Sequence, residues 1–204
     1  MGEKLRIVGL EEHVVLPVVR EAWAKVGARQ PYGEDHPVMR RLRDVGDQRL
    51  ADMDDQGIDV AVLSLATPGV QNLPAADAVS VAREANDALA EIVAARPDRF
   101  QALAVIPTSS PENAAAELER AVTQLGFPGA MLYGRTGDKT ADAPEFDDLY
   151  ATAERLRVPL HFHPQARWRP FNRRTTLGCP TGSGRCWRPR ESGGTTTSAC
   201  STCG

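Results

Sequence analysis

Residues 9–17 read GLEEHVVLP, a β-type run in which three ionisable groups, Glu11, Glu12 and His13, stand where a strand should be entering a core. This stretch bears on the choice between two architectures. An open doubly wound sheet usually announces itself with a glycine-rich phosphate loop after its first strand, and none is present here. A barrel of alternating strands and helices needs no such loop and keeps its chemistry at the C-terminal ends of its strands.

Outward from this stretch the chain alternates β-rich and helical segments, the signature of a parallel sheet wrapped by helices. The strand candidates are LRIVGLEEHVV (5–15), IDVAVLSLA (58–66), FQALAVIP (100–107), PGAMLYG (128–134) and VPLHFHP (158–164). Most are apolar on consecutive positions, as strands covered on both faces must be. The helices between them carry readable punctuation. Ser110 can cap and Pro111 suits a first turn, while Gly126 supplies a left-handed stop after ENAAAELERAVTQL. Other helices are expected over DAVSVAREANDALAEIVAAR (77–96), EFDDLYATAERLR (145–157) and 41–56, where Leu42, Val45, Leu50 and Met53 fall at helical spacing. Five βα units in about 160 residues match the first five-eighths of an eight-stranded barrel, which takes about 250 residues. The expected fold is therefore α/β, a partial (β/α)8 TIM barrel of about five of eight βα units over residues 1–165. An open sheet of five strands is the competing arrangement.

The texture breaks at residue 166. Residues 166–204 hold all four cysteines, Cys179, Cys186, Cys200 and Cys203, and seven arginines against one acid, Glu191. The segment thus carries +6, and the remainder of a chain whose total is −3 carries −9. Leu177 is its one branched aliphatic residue. Such a composition cannot bury enough apolar area to offset chain entropy, so a disordered tail is expected. Cys200-x-x-Cys203 is half a zinc motif, and Cys179 and Cys186 have the wrong spacing to complete it. The arginines, with Trp168 and Trp187 among them, resemble a nucleic-acid-binding tail, but the acidic remainder argues against that use. No apolar run reaches membrane-spanning length and no signal peptide is visible, so a cytoplasmic protein without membrane or nucleic-acid partners is expected.

Strand alternation puts Glu11 and His13 on one face and Glu12 on the other. A carboxylate and an imidazole entering one cavity make two legs of a divalent-metal site. The other reading is a strand end with solvated acids. His161 and His163 pose the same question at the end of the fifth strand, as ligands or as hydrogen-bonded core histidines. Asp54, Asp55, Asp147 and Asp148 look like solvated helix faces or caps.

These segments together resemble the amidohydrolase-related metal enzymes that include γ-resorcylate and aminocarboxymuconate semialdehyde decarboxylases. The likeness covers about residues 5–165 and rests on GLEEHVV, RLADMDDQGIDVAVLSLATPGVQ, AREANDALAEIVAARPDRFQALAVIP, ENAAAELERAVTQLGFPGAMLYGRT and VPLHFHP. The resemblance implies a distorted barrel with one divalent metal, zinc or manganese, held by Glu11, His13 and His163. His161 stands where the family often has an aromatic or aliphatic residue. The implied function is decarboxylation of a small hydroxylated aromatic or ring carboxylic acid, whose carboxylate and adjacent oxygen chelate the metal. An aspartate of the eighth strand, absent from this chain, acts at the ring carbon. Leu132 and Tyr133 depart from the asparagine-glycine pair typical of γ-resorcylate decarboxylases. A hydrolytic relative would use the same ligands for water attack. Related barrels are often dimers, so a homodimer is expected of a full-length relative.

The family continues past its fifth strand with an apolar helix and a W-H-Y-[DE] motif, neither of which this chain has. Reading the codons of residue 166 onward from their third base, with permitted codon choices, recovers both. The segment from 166 is therefore expected to be out of frame, and the chain as it stands poorly stable and inactive; the coding DNA tests this. The non-enzymatic alternative is a truncated βα protein whose basic tail binds nucleic acid or metal.

Overall fold

The computed structural model describes residues 5–28 and 32–164; the four cysteines and the basic segment expected to be disordered lie outside them. Five segments lie as parallel strands. β1 (Val8–Val14) pairs β2 (Val60–Leu65), which pairs β3 (Phe100–Ala102). β4 (Ala104–Val105) pairs β5 (Ala130–Tyr133). A two-residue antiparallel hairpin, β6 (Arg135–Thr136) and β7 (Lys139–Thr140), turns at Gly137, and β8 (Leu160–His163) then pairs β5.

FQALAVIP thus splits into β3 and β4, and Leu103 is where the chain passes from one ladder to the other. Leu103 N donates to Leu63 O (2.9 Å) and Ala104 N to Gly129 O (2.9 Å), so consecutive amides still reach the strands on either side. The spatial order follows the chain order, β1, β2, β3 with β4, β5, β8. A doubly wound sheet places its first strand inside the sheet with later strands on both sides. The sequential order found here, with β1 at an edge, is not that arrangement. Among the described residues β1 and β8 are each paired along one edge, and Ile7, Val8, Leu10 and Phe162 on or beside them are exposed.

Helices cover one side of these strands. α1 (Pro17–Lys25), α2 (Pro37–Arg43) and α3 (Asp47–Gln56) separate β1 from β2, and α4 (Ala75–Ala95) separates β2 from β3. α5 (Pro111–Thr123) precedes β5, and α6 (Asp147–Leu156) precedes β8 after a 3-10 turn at Pro144–Phe146. The helix expected over 41–56 is two helices, because Asp44 is extended and Gly46 occupies the cap of α3. Leu42, Val45, Leu50 and Met53 nevertheless all pack on the core, as their spacing suggested. At α5, Pro111 opens the helix and Gly126 is left-handed (φ +75°). Ser110 sits at the cap, but its hydroxyl engages the side chains of Glu112 and Asn113 instead of a helix amide.

The two sides of the strands bury different residues. Toward the helices lie Ala61, Leu63, Leu65, Ala102, Ala130 and Leu132, against the alanine-rich faces of α4 and α5. Small residues there let helix and strand approach closely. A separate small cluster, Val62, Leu103 and Met131 with Tyr133 packed on it, comes from the alternate positions, which alternation turns to the opposite side. The candidate site stands on that side.

One polar tie holds the break in the third strand. Val105 N donates to Asn86 Oδ1 (2.8 Å), and Asn86 Nδ2 donates to Val105 O (2.9 Å) and Glu117 Oε1 (2.7 Å). The Asn86 amide does for Val105 what a neighbouring strand would do. Glu117, itself buried, is matched by Arg120 at 2.8 Å, so the network is satisfied rather than a stranded charge.

Candidate metal centre

The geometry begins with an irregularity in β1. Gly9 is opposite Ala61, yet Glu12 is opposite Leu63, so β1 carries one residue more than β2 over this span. Leu10 and Glu11 together stand against the one residue Val62, and Glu11 takes a left-handed backbone (φ +60°) that costs a non-glycine residue about 1–2 kcal/mol. Bulges of this kind re-aim side chains, often beside functional sites. Here the extra residue resets the parity. Without it His13 would fall opposite Leu65, on the helix-facing side; with it His13 lies opposite Ser64. Simple alternation along the strand predicts a shared face for Glu11 and His13 but misses the bulge that produces it. Glu12 goes elsewhere: its carboxylate fills the space a side chain on Gly9 would occupy and lies 3.8 Å from Arg49 Nη1.

β8 supplies the rest. Its register sets His161 opposite Met131 and His163 opposite Tyr133, both on the side of the smaller cluster. One ligand atom from each of Glu11, His13 and His163 falls within 4.8 Å of the others. His13 Nε2 and His163 Nε2 are 3.1 Å apart. His161 stands aside from this trio and donates from Nε2 to Glu11 Oε1 at 2.6 Å. Asp54, Asp55, Asp147 and Asp148 do not join it; Asp54 is not simply solvated, since it accepts from Arg99 at 2.7 Å, and Asp147 and Asp148 open α6.

Hydrogen bonds define what the two imidazoles offer. His163 Nδ1 lies 2.6 Å from Pro164 O, an acceptor without a proton, so Nδ1 carries the hydrogen and neutral His163 presents a bare Nε2. His13 Nδ1 lies 2.9 Å from the buried Ser64 hydroxyl, and its Nε2 faces that of His163. Two bare nitrogens at this separation repel unless a proton or a cation lies between them. Two nitrogens bound to one zinc at about 2.05 Å each would stand about 3.0–3.4 Å apart, so the observed spacing fits a shared ion. The donor set of two imidazoles and a carboxylate also suits zinc or manganese better than a purely oxygen-seeking cation.

The electrostatics keep these groups in ligating form. Burial, and then the neighbouring His163, push the His13 imidazole below its ordinary range, leaving it neutral near pH 7. The hydrogen bond from His161 outweighs desolvation and holds the Glu11 carboxyl below the usual range, so it is ionised. Arg49 anchors the end of β1 from behind, donating to His13 O (2.9 Å), Asp44 O (2.7 Å) and Arg41 O (3.1 Å). Tyr133 borders the site, its ring centroid 5.8 Å from that of His163 and its hydroxyl donating to Leu65 O; burial pushes the phenol well up, so it stays protonated. A cavity of about 330 Å³ lies behind β1, lined by Glu12, His13, Asp44, Arg49, Met53 and neighbours but by neither Glu11 nor His163.

Residues 13–180 match the Amidohydrolase family. The chain is a member of that family. Among its relatives is the γ-resorcylate decarboxylase of Rhodococcus jostii (strain RHA1), 39% identical over 168 residues, which cover 78% of this chain and 50% of that protein. The 5-carboxyvanillate decarboxylase LigW from Sphingomonas paucimobilis superposes with a TM-score of 0.75 at 34% identity, covering 83% of this chain and 55% of that one. A dihydroxybenzoic acid decarboxylase from Polaromonas sp. JS666, solved with manganese and 2-nitroresorcinol, gives 0.71 at 34% identity over 81% and 51% of the two chains. This amidohydrolase chain spans about half the length of the curated relatives it matches. Among the described residues no helix is long and apolar enough to cross a membrane.

The sequence singled out Glu11, His13, His161 and His163, and the fold brings all four to one place. It did not single out Ser64 or Arg49. Ser64 had a signal, as the one polar residue in an otherwise apolar VAVLSLA. Arg49 had none, because its hydrogen-bond acceptors are backbone carbonyls, and the Glu12 carboxylate 3.8 Å away lies 37 positions back in the chain.

Proposed function

We propose that this chain carries the metal-holding part of a decarboxylase acting on a small hydroxylated aromatic or ring carboxylic acid. In this reading it supplies about five of the eight βα units of a TIM barrel. Glu11, His13 and His163 hold one divalent ion, manganese or zinc. The observation that carries the reading is the 3.1 Å approach of His13 Nε2 to His163 Nε2 beside the Glu11 carboxylate. The manganese and the aromatic ligand bound to the Polaromonas relative support the choice of ion and substrate class.

When bound, the ion supplies Lewis-acid and template chemistry, orienting a carboxylate and a neighbouring oxygen of the substrate. The chain's own residues keep that arrangement in place. Pro164 O and Ser64 hold the two imidazoles with Nε2 directed at one point, and His161 fixes one oxygen of Glu11 so that the other is free to ligate. Tyr133 and Met131, opposite His163 and His161, close the apolar side of the space, where an aromatic ring would lie. No described residue is given the proton transfer at the ring carbon. Turnover therefore belongs to the whole barrel, and metal binding is what this chain should show alone.

The test is metal content and titration of the 204-residue chain with manganese and zinc, beside Glu11→Ala, His13→Ala and His163→Ala. One equivalent bound by the parent, and lost in each variant, is the expected result. Binding that survives all three substitutions, or that disappears only when residues 166–204 are removed, would overturn it. Carbon dioxide release from 2,6-dihydroxybenzoate and 5-carboxyvanillate, measured on a version with the barrel completed by a relative's C-terminal half, tests the substrate class.

A further inference from the structure

Ser64 is fully buried in β2, directly opposite His13 in register, and its hydroxyl lies 2.9 Å from His13 Nδ1. The strand around it is apolar, with Leu63 and Leu65 turned to the helices. A buried hydroxyl must have a partner, and here the partner is a histidine whose other nitrogen faces the candidate metal position. A hydroxyl differs from the other acceptor in the site. Pro164 O can only accept, which fixes His163 with its hydrogen on Nδ1, whereas Ser64 Oγ can either donate or accept.

We propose that Ser64 is a positioning residue that lets His13 exchange tautomers as the ion enters. Without an ion, the bare Nε2 of His163 needs a donor 3.1 Å away, and His13 supplies it as Nε2–H. Its Nδ1 is then bare and accepts from the Ser64 hydroxyl. With the ion bound, His13 Nε2 must be bare. Its proton is given up there and one is taken up at Nδ1, the imidazole stays neutral, and the Ser64 hydroxyl turns about its Cβ–Oγ bond to accept from Nδ1–H. A carbonyl in place of Ser64 would hold His13 in the ligating tautomer and set its bare Nε2 against that of His163 in the empty site. An alanine would leave Nδ1–H buried without an acceptor in the filled one.

The proposal rests on Glu11, His13 and His163 being the ligands, and the experiment separates the two ideas. Long-range 1H–15N correlation spectra of the imidazoles are recorded on the 204-residue chain at pH 8, without metal and with one equivalent of zinc. His13 is expected to carry its hydrogen on Nε2 without zinc and on Nδ1 with it, while His163 carries it on Nδ1 in both. Zinc affinity by chelator competition is expected to fall about 10–100-fold in Ser64→Ala, the usual consequence of removing a partner that orients a ligating histidine, and to stay within a few-fold in Ser64→Thr, which keeps the hydroxyl. His13 protonated on Nδ1 in both states, or Ser64→Ala binding zinc as tightly as the parent, would overturn the role of Ser64 and leave the metal site standing. A parent chain that takes up no zinc would overturn both. The spectra of the parent decide the matter even where a substitution prevents folding.

Discussion

His161 Nε2 donates to Glu11 Oε1 across 2.6 Å, joining the last described strand to the bulge of the first. The contact holds the Glu11 carboxyl below its ordinary range. Replacing His161 with phenylalanine, which keeps a ring but no donor, should let that carboxyl rise back toward the ordinary carboxylate range. Because the folded value is the lower one, what the contact contributes is fully present at neutral pH and is lost as pH falls through the depressed value. A side-chain carboxyl NMR titration of the metal-free chain measures the shift, and a Glu11 curve unchanged by His161→Phe would show that the contact is not what holds it. Manganese affinity should drop about tenfold in the same variant, as for other partners that orient a ligand.

The pH dependence of His13 runs through the same side. Burial and His163 depress its imidazole, so between the depressed value and about 6.5 the unfolded chain binds a proton that the folded chain refuses. Stability rises with pH through that window and is flat above it. Urea midpoints for the metal-free chain should therefore decline between pH 7 and pH 5.5, and decline less in His13→Gln, where the titrating group is gone. Parallel curves for the two would contradict the assignment.

Why some of this was legible in the sequence and some was not follows from where the information sits. Apolar runs, Pro111, Gly126 and the spacing of Leu42, Leu50 and Met53 are local signals, and the elements they imply are present. The order of the strands was not legible in the sequence, and it took the ladders through Leu63, Leu103 and Gly129 to give it. The bulge at Glu11 was hidden, because an extra residue is defined by the strand opposite and not by its own neighbours. The division of the 41–56 helix was hidden likewise: the apolar spacing survives the break at Gly46, since both pieces pack on one core. His161 and Glu11 were visible as separate residues, but their contact spans 150 positions.

Asn86 gives a prediction that lies away from the metal. It is wholly buried, and its amide serves both polar groups of Val105 and the carboxylate of Glu117. Asn86→Leu keeps nearly the same volume while leaving both polar groups of Val105 unpartnered and Glu117 with Arg120 but without the amide. With about 1–3 kcal/mol for each unsatisfied buried group, and partial relief from relaxation, a loss of about 2–5 kcal/mol is expected in urea denaturation. Asn86→Asp should be no better, because it sets a second carboxylate against Glu117. A loss under about 1 kcal/mol for Asn86→Leu would mean that the break after Leu103 does not depend on this amide.

Gly129 stands at the start of β5, where the strand leading into His161 and His163 passes closest. A methyl group built there would lie 2.4 Å from Pro159 O and 3.0 Å from Pro159 Cγ. The first of these is backbone and cannot swing away, and Pro159 O already accepts from Ala130 N at 3.2 Å. Gly129→Ala must therefore push β8 off β5 at its beginning, and displacement there is carried along the ladder to Tyr133 opposite His163. Overpacking of this kind costs about 1–3 kcal/mol, but the larger effect is expected on the site, because ligands must be held to within about 0.5 Å of their working positions. Metal affinity should fall further in Gly129→Ala than in a variant of equal stability loss on the buried face of α5, such as Leu118→Val. Equal affinities in two equally destabilised chains would show that the spacing of β5 and β8 does not control the approach of His163 to His13.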